Sequence, residues 1–282
     1  VVAMLARSEV CLYGDPYQLG PIAVSEAAPE TPLMRRFDSS PFELLNFENP
    51  LPSSGAVSVM NGQYRLAPSL ASATLPPLYA QGGVTSTVAG EPESPWGAGS
   101  LLYVDTTSLN AASVRTLGKS RQNEVHASGV VESVRVLLEQ GAVTPENIDE
   151  SLLVITPYRA QRLLISRMLQ GAGWFSDQQI RSLVTTIHRS QGSERDFVLV
   201  DTTDALSEVE LSEQSVGRLW QGKGLQSDGS RLLTTALTRA RLQALVVMRR
   251  DVTGTAQDPF SEGAKALARL NALLDRWGNP AA

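Results

Sequence analysis

The sequence holds a single cysteine, Cys11, so neither a disulfide framework nor a multi-cysteine zinc site can be built from it. Histidine is almost as scarce: His126 and His188 are the only two, too few for a histidine-rich metal centre. No apolar run approaches the roughly 20 residues that a membrane span needs. The N-terminus, from Val1 to Arg7, lacks the basic stretch and long apolar core of a secretory signal. We therefore expect a cytoplasmic protein. The chain does not begin with Met and enters an apolar run almost at once, which is expected of a piece of a longer polypeptide.

What is present is ordinary for a globular protein: 282 residues, 42% hydrophobic and 19% charged. That length suits one large domain or two of common size. The net charge of −5 hides an asymmetry. Residues 1–150 carry 8 basic against 16 acidic side chains, whereas 151–282 carry 16 against 13. The segment 156–195 alone holds six arginines and two acids, and only three of the 24 basic residues are lysine. Arginine suits bidentate phosphate recognition. A GC-rich genome gives the same bias, and it leans toward a bacterial source.

Short apolar runs recur at Val10–Tyr13, Leu101–Val104, Leu152–Thr156, Leu183–Thr185, Phe197–Asp201 and Leu245–Met248. They are β-branched and do not alternate, as strands buried on both faces should be. Helical patterns lie between them. Gln122–Gln140 sets Ala127, Val130, Val131, Val134, Leu137 and Leu138 on one stripe, with Ser120 as N-cap and Gly141 past the end. Tyr158–Gln170 is closed by Gly171, and Arg231–Arg241 and Ala264–Trp277 follow. Glu26–Ser40 and Glu91–Gly99 read as loops, and Ser207–Gly229 as a polar excursion. Such alternation predicts an α/β fold, a parallel sheet with helices on both faces. Ligands of such sheets sit at the carboxyl ends of the strands.

Four constellations stand at those ends. Gly14-Asp15-Pro16-Tyr17-Gln18-Leu19-Gly20-Pro21 makes a tight turn that projects Gln18, whose amide can touch a phosphate. Alone, Gly-Asp-Pro is also simply a turn. Gln63-Tyr64-Arg65-Leu66-Ala67-Pro68 offers an arginine before a helix start, either a surface charge or a guanidinium aimed at a terminal phosphate. Thr156-Pro157-Tyr158-Arg159-Ala160-Gln161 ends one strand and opens a helix whose free N–H groups favour an anion. Thr186-Ile187-His188 and the residues to Glu194 end the next. Their hydroxyls, imidazole and arginines can hold a phosphodiester backbone while Tyr158 stacks on a base. The plainer readings are a capping or core histidine and a half-buried core tyrosine. Finally, Thr234-Thr235-Ala236-Leu237-Thr238-Arg239-Ala240 packs small residues on the sheet and presents Arg239.

In this order the constellations resemble the second half of a superfamily 1 helicase, in the branch that holds the nonsense-mediated-decay helicase and its bacterial relatives. Gly14–Pro21 resembles motif III, G-D-x-x-Q-L-x-P, and Gln63–Pro68 motif IV, with Leu66-Ala67 for the usual Met-His. Thr156–Gln161 resembles the T-P-Y-x-x-Q element, Thr186–Glu194 motif V and Ala236–Ala240 motif VI, A-L-T-R-A. Ser40–Leu45 and Asn123-Glu124 resemble connecting stretches of the same branch.

The resemblance implies a RecA-like P-loop NTPase fold and a division at residues 1–55, the tail of a first RecA-like domain, and 56–282, a second. It implies that Gln18 senses the γ-phosphate and that Arg65 and Arg239 are arginine fingers. Gly192 would offer backbone N–H to the phosphates and Glu194 would hold the ribose. Thr156, Pro157, Tyr158, Thr186 and His188 would grip a single strand, DNA rather than RNA if the source is bacterial. ATP and Mg²⁺ are the implied cofactors. No G-x-x-x-x-G-K-[ST] occurs in the 282 residues. The Walker loops would therefore come from a preceding RecA-like domain of the same polypeptide, and this chain alone would not hydrolyse ATP. A non-catalytic nucleic-acid-binding module derived from a helicase is the alternative. Thr234-Thr235 stand where motif VI usually has Asn-Val, which puts one local hydrogen bond in doubt.

Overall fold

The branched aliphatic runs pair into one six-stranded sheet, every strand parallel to its neighbours. The computed structural model describes residues 13–20, 60–79, 85–88, 95–97, 99–109, 111, 114–115, 120–204, 227–252 and 266–281. In chain order the strands are β1 (Leu101–Asp105), β2 (Leu152–Thr156), β3 (Val184–Thr186), β4 (Arg195–Asp201), β5 (Ala240–Met248) and β6 (Asn279–Pro280). Their order across the sheet is β6-β1-β5-β4-β2-β3.

Because side chains of a strand alternate between faces, each run feeds two cores. Leu153, Ile155, Val198, Val200, Val246 and Met248 point to one face. There they meet helices α1 (Pro68–Leu78), α6 (Asp228–Leu237) and α7 (Ala266–Trp277). Leu152, Val154, Leu199, Leu245 and Val247 point to the other. That face is covered by α2 (Glu124–Glu139), the short α3 (Ile148–Ser151), α4 (Arg159–Ala172) and α5 (Asp177–Leu183). A parallel sheet covered on both sides is the RecA-like α/β arrangement the motifs implied; Thr156 and Thr186 lie at the carboxyl ends of their strands as expected, but Glu194 and Arg239 lead into the amino ends of β4 and β5, on the opposite side of the sheet.

Several boundaries differ from the sequence reading. Asn123, not Ser120, caps α2, its side chain accepting the His126 N–H at 3.1 Å. Ser120 instead accepts the Ala160 N–H at the start of α4, at 2.9 Å. Gly171 lies inside α4, and the helix is closed by Gly173, whose φ of 72° is the left-handed conformation that glycine adopts most readily. The single helix expected over Arg231–Arg241 is two elements: α6 starts at a Ser227 cap and stops at Leu237, and Ala240 begins β5. Ladder pairing with β4 and β1 overrides the helix-friendly Ala-Arg-Leu-Gln run. The loop 26–40, Ser40–Leu45, the division near residue 55 and all but Tyr13 of the first run lie outside the described residues, as does the polar excursion expected over Ser207–Gly229 except for Ser227, Asp228 and Gly229, which are the cap and first residues of α6.

Candidate functional site

At the amino ends of β4 and β5 four remote segments meet. The turn at 14–20 is organised by Asp15, whose Oδ1 accepts the Tyr17 N–H at 2.9 Å and whose Oδ2 accepts Gln18 Nε2 at 2.8 Å. That leaves the amide oxygen of Gln18 facing Arg239, whose Nη2 donates to it at 3.0 Å. The turn is tied to α6 by Leu19 N–H donating to Thr235 Oγ1 at 3.1 Å and to the 191 loop by Gln191 Nε2 donating to Leu19 O at 2.8 Å.

Thr235 thus makes a bond where the sequence left one in doubt. Its neighbour Thr234 does not: its hydroxyl is fully buried and meets no hydrogen-bond partner among the described residues. A buried, unmatched hydroxyl carries its desolvation cost with no return. Thr234→Val should therefore raise unfolding stability by about 1 kcal/mol, read by urea denaturation. A loss of stability would mean that this hydroxyl is satisfied in solution.

Arg65 stands on a turn stapled by Gln63. The Gln63 amide oxygen accepts the N–H groups of Arg65 at 3.0 Å and Leu66 at 2.7 Å, and its Nε2 donates to Leu66 O at 2.8 Å. Pro68, with no N–H to satisfy, then opens α1. The Arg65 guanidinium donates to Glu194 Oε2 at 2.5 Å and to Thr238 O at 3.1 Å. Glu194 follows Gly192, whose φ of +80° lies in the region that glycine adopts freely. Nothing lies within 4 Å of where a Cβ would stand, so backbone shape rather than crowding selects glycine there.

Arg239 occupies the two-residue turn between α6 and β5 and is 3% exposed. Besides Gln18 it donates to Thr235 O at 3.0 Å, Thr238 Oγ1 at 3.2 Å and Ser193 O at 3.4 Å. Burial, and then the nearby Arg65 charge, lower its pKa from the ordinary arginine value. Arginine stays protonated regardless. Two guanidinium groups that feel each other's charge in one part-buried cluster favour the arrival of an anion. Hydrogen bonding from Arg65 holds the Glu194 carboxyl below its usual range.

The expected nucleic-acid residues lie at the ends of β2 and β3. Here the structure corrects the stacking role given to Tyr158. Its ring is 8% exposed and its hydroxyl donates to Asp204 Oδ2 at 2.7 Å, so it offers no face to a base. Thr156 is fully buried, its hydroxyl bonded to Thr203 Oγ1 at 2.8 Å, and Pro157 is buried beside it. Thr186 and His188 are half-buried, and Arg159 and Arg189 are exposed. Burial lowers the His188 pKa, opposed in part by Asp228. At neutral pH this histidine is a neutral hydrogen-bonding group and not a cation. The helix start at Arg159 is not wholly free for an anion, because Ser120 already takes one of its N–H groups.

Sequence reasoning missed the polar network beneath this surface. His126, fully buried, bonds Asp201 through Nδ1 and Thr106 through Nε2, each at 2.9 Å. Asp201 also accepts the N–H of Thr203 at 2.7 Å, which fixes that residue at a φ of 63°. Arg121 donates to Asp204 Oδ1 at 2.9 Å, and Gln161 clamps the Asn123 backbone at 2.7 and 3.0 Å. Apart from the Asp201–Thr203 bond these partners are 20 to 83 positions apart in sequence, and nothing local marks them. Among the described residues no group of three or more His, Cys, Asp or Glu side chains is placed to hold a metal ion. No described helix is long and apolar enough to cross a membrane.

A family model for an AAA domain matches residues 37–251. The chain is 30% identical over 250 residues to a regulator of nonsense transcripts 1 homolog of Neurospora crassa, covering 86% of this chain and 20% of that protein. It is 28% identical to the ATP-dependent helicase upf1 of Schizosaccharomyces pombe, covering 86% of this chain and 24% of the other. With the ATP-dependent helicase NAM7 of Saccharomyces cerevisiae the figures are 29%, 85% and 22%. The chain thus spans between a fifth and a quarter of the length of these relatives. Among solved structures it overlays the crystal structure of the PRRSV nsp10 helicase with a TM-score of 0.28 at 17% identity, covering 72% of this chain and 26% of that one. That overlay is too loose to bear on the site.

Proposed function

The chain belongs to the AAA domain family and is kin to superfamily 1 helicases of the nonsense-transcript branch; from that premise we propose that it is the C-terminal part of an ATP-dependent nucleic-acid helicase. The observation that carries this reading is the single cluster Gln18–Arg239–Arg65–Glu194, assembled from four separate segments. A binding module would have no use for a buried Arg239 turned to Gln18 beside an Arg65 held on Glu194, both remote from the carboxyl ends of β2 and β3.

In this reading residues 1–55 end a first RecA-like domain and 56–282 form a second. ATP lies between them, with its phosphates toward Gln18, Gly192, Arg65 and Arg239. The buried Arg239 supplies positive charge in a low-dielectric cleft, where it opposes charge that develops as the terminal phosphate leaves. Glu194 holds Arg65 through Oε2, which leaves its other carboxylate oxygen to accept a ribose hydroxyl. Mg²⁺, bound through a Walker segment outside this chain, would neutralise the phosphates. The single strand runs over the ends of β2 and β3, touched by Thr186, His188 and the 156–158 backbone. Thr156, Pro157 and Tyr158 form its floor, and Arg159 and Arg189 pair with its phosphates. We assign single-stranded DNA and a cytoplasmic setting. The arginine-rich composition supports a bacterial source for the chain, although the relatives named above are eukaryotic and one carries a name that refers to transcripts.

Labelled single-stranded DNA and RNA should each be titrated with this chain at increasing salt. Weak binding that falls steeply with salt is expected, with a slope near −0.7 per phosphate contacted. The tighter strand names the substrate. Binding that salt does not weaken, or that survives Arg159→Ala with Arg189→Ala, would contradict the assigned track.

A further inference from the structure

Tyr79 is the first residue beyond α1, in extended backbone, and its ring packs edge-on against Tyr17 at 5.2 Å between centroids. Its hydroxyl donates to Asp15 Oδ2 at 2.6 Å. The same oxygen accepts Gln18 Nε2 at 2.8 Å. We propose that Tyr79 is a positioning residue for the reaction: through Asp15 it fixes which end of the Gln18 amide faces Arg239 and the terminal phosphate. This inference rests on the helicase reading above.

A glutamine amide has two nearly isosteric ends, one donating and one accepting. With Nε2 held by Asp15, the oxygen must face the Arg239 guanidinium, which can only donate. The flipped amide would set donor against donor at Arg239 and acceptor against acceptor at Asp15. Asp15 imposes this choice only while its carboxylate is itself held, and Tyr79 and the Tyr17 N–H are what hold it. Burial, and then the Asp15 charge, raise the Tyr79 pKa far above the ordinary phenol value, so its hydroxyl is a donor at any working pH. The tie also joins the turn at 14–20 to the helix that follows the Arg65 turn. The orientation of Gln18 is thus set by the body that carries both arginines.

Tyr79→Phe keeps the ring against Tyr17 and removes only the donor. In the polypeptide that joins this chain to its Walker segments, kcat should fall about 10-fold, as for removal of a group supporting a reactive one, with KM for ATP within about twofold. In a Gln18→Ala background the same change should cost nothing more, because both act through one amide. Equal loss in both backgrounds, or an unchanged kcat, would overturn the proposal. On this chain alone, NMR of the Gln18 side-chain amide gives a readout independent of turnover. The two protons should be well separated in the wild type and merge toward their solvent positions in Tyr79→Phe. An amide unmoved by the substitution refutes the proposal even if the polypeptide proves inactive; absence of turnover in the wild type refutes the helicase reading instead.

Discussion

Arg239→Ala should lower ATP turnover by about 10³-fold or more in a polypeptide that holds both this chain and its Walker segments, the range lost with an arginine finger. ATP affinity should change only a fewfold. The reason for the split lies in when the guanidinium acts. In the structure Arg239 rests on Gln18 Oε1, Thr235 O and Thr238 Oγ1, so it is already placed before nucleotide enters. A preplaced charge helps most where charge builds up, in the transition state. Lysine should rescue little, since one ammonium cannot replace a planar fork donating to several acceptors at once. Turnover and equilibrium ATP binding, measured on wild type, Arg239→Ala and Arg239→Lys, separate the possibilities. Equal loss of both quantities would make Arg239 structural, a brace between the 193 loop and α6.

The second large effect is on stability. Arg121 and Asp204 form an ion pair at 2.9 Å with side chains 6% and 0% exposed. Such a pair adds little over a well-packed apolar one, but removing a single partner strands the other charge. Arg121→Met should therefore cost about 3–5 kcal/mol. By urea denaturation the midpoint should fall sharply at an unchanged slope. Arg121→Met combined with Asp204→Leu should recover most of the loss, even though the Tyr158 hydroxyl then loses its acceptor. A single-mutant cost below about 1 kcal/mol would class the pair with exposed bridges.

How much of this was legible depends on the range of the interaction. Leu152–Thr156 was read to the residue, since a run buried on both faces has no competing pattern. The α6–β5 boundary was not, because Ala240–Ala244 has helical propensity and becomes a strand only through pairing with β4 and β1. Ser120 and Asn123 are both good caps, and only the approach of Ala160 decides which caps α2. Within the site, Gln18, Arg65, Glu194 and Arg239 were reached by resemblance, and their proximity is a property of the fold. Asp15–Tyr79, Arg121–Asp204 and His126–Asp201 join residues 64, 83 and 75 positions apart. Each partner alone reads as an ordinary turn, strand or helix residue. Tyr158 was misjudged as a stacking platform because an aromatic after a strand end gives the same sequence signal whether it faces solvent or an Asp204 across the sheet.

The central claim is that this chain supplies the phosphate-sensing half of a strand-stimulated motor. The most direct measurement is ATP turnover with Mg²⁺, with and without single-stranded DNA or RNA. It should be run on this chain and on the polypeptide extended through the Walker segments. The account requires no turnover from the chain alone, and turnover from the extended polypeptide that a single strand stimulates. Turnover by this chain alone that survives Arg239→Ala, or none from the extended polypeptide with either strand, would contradict it.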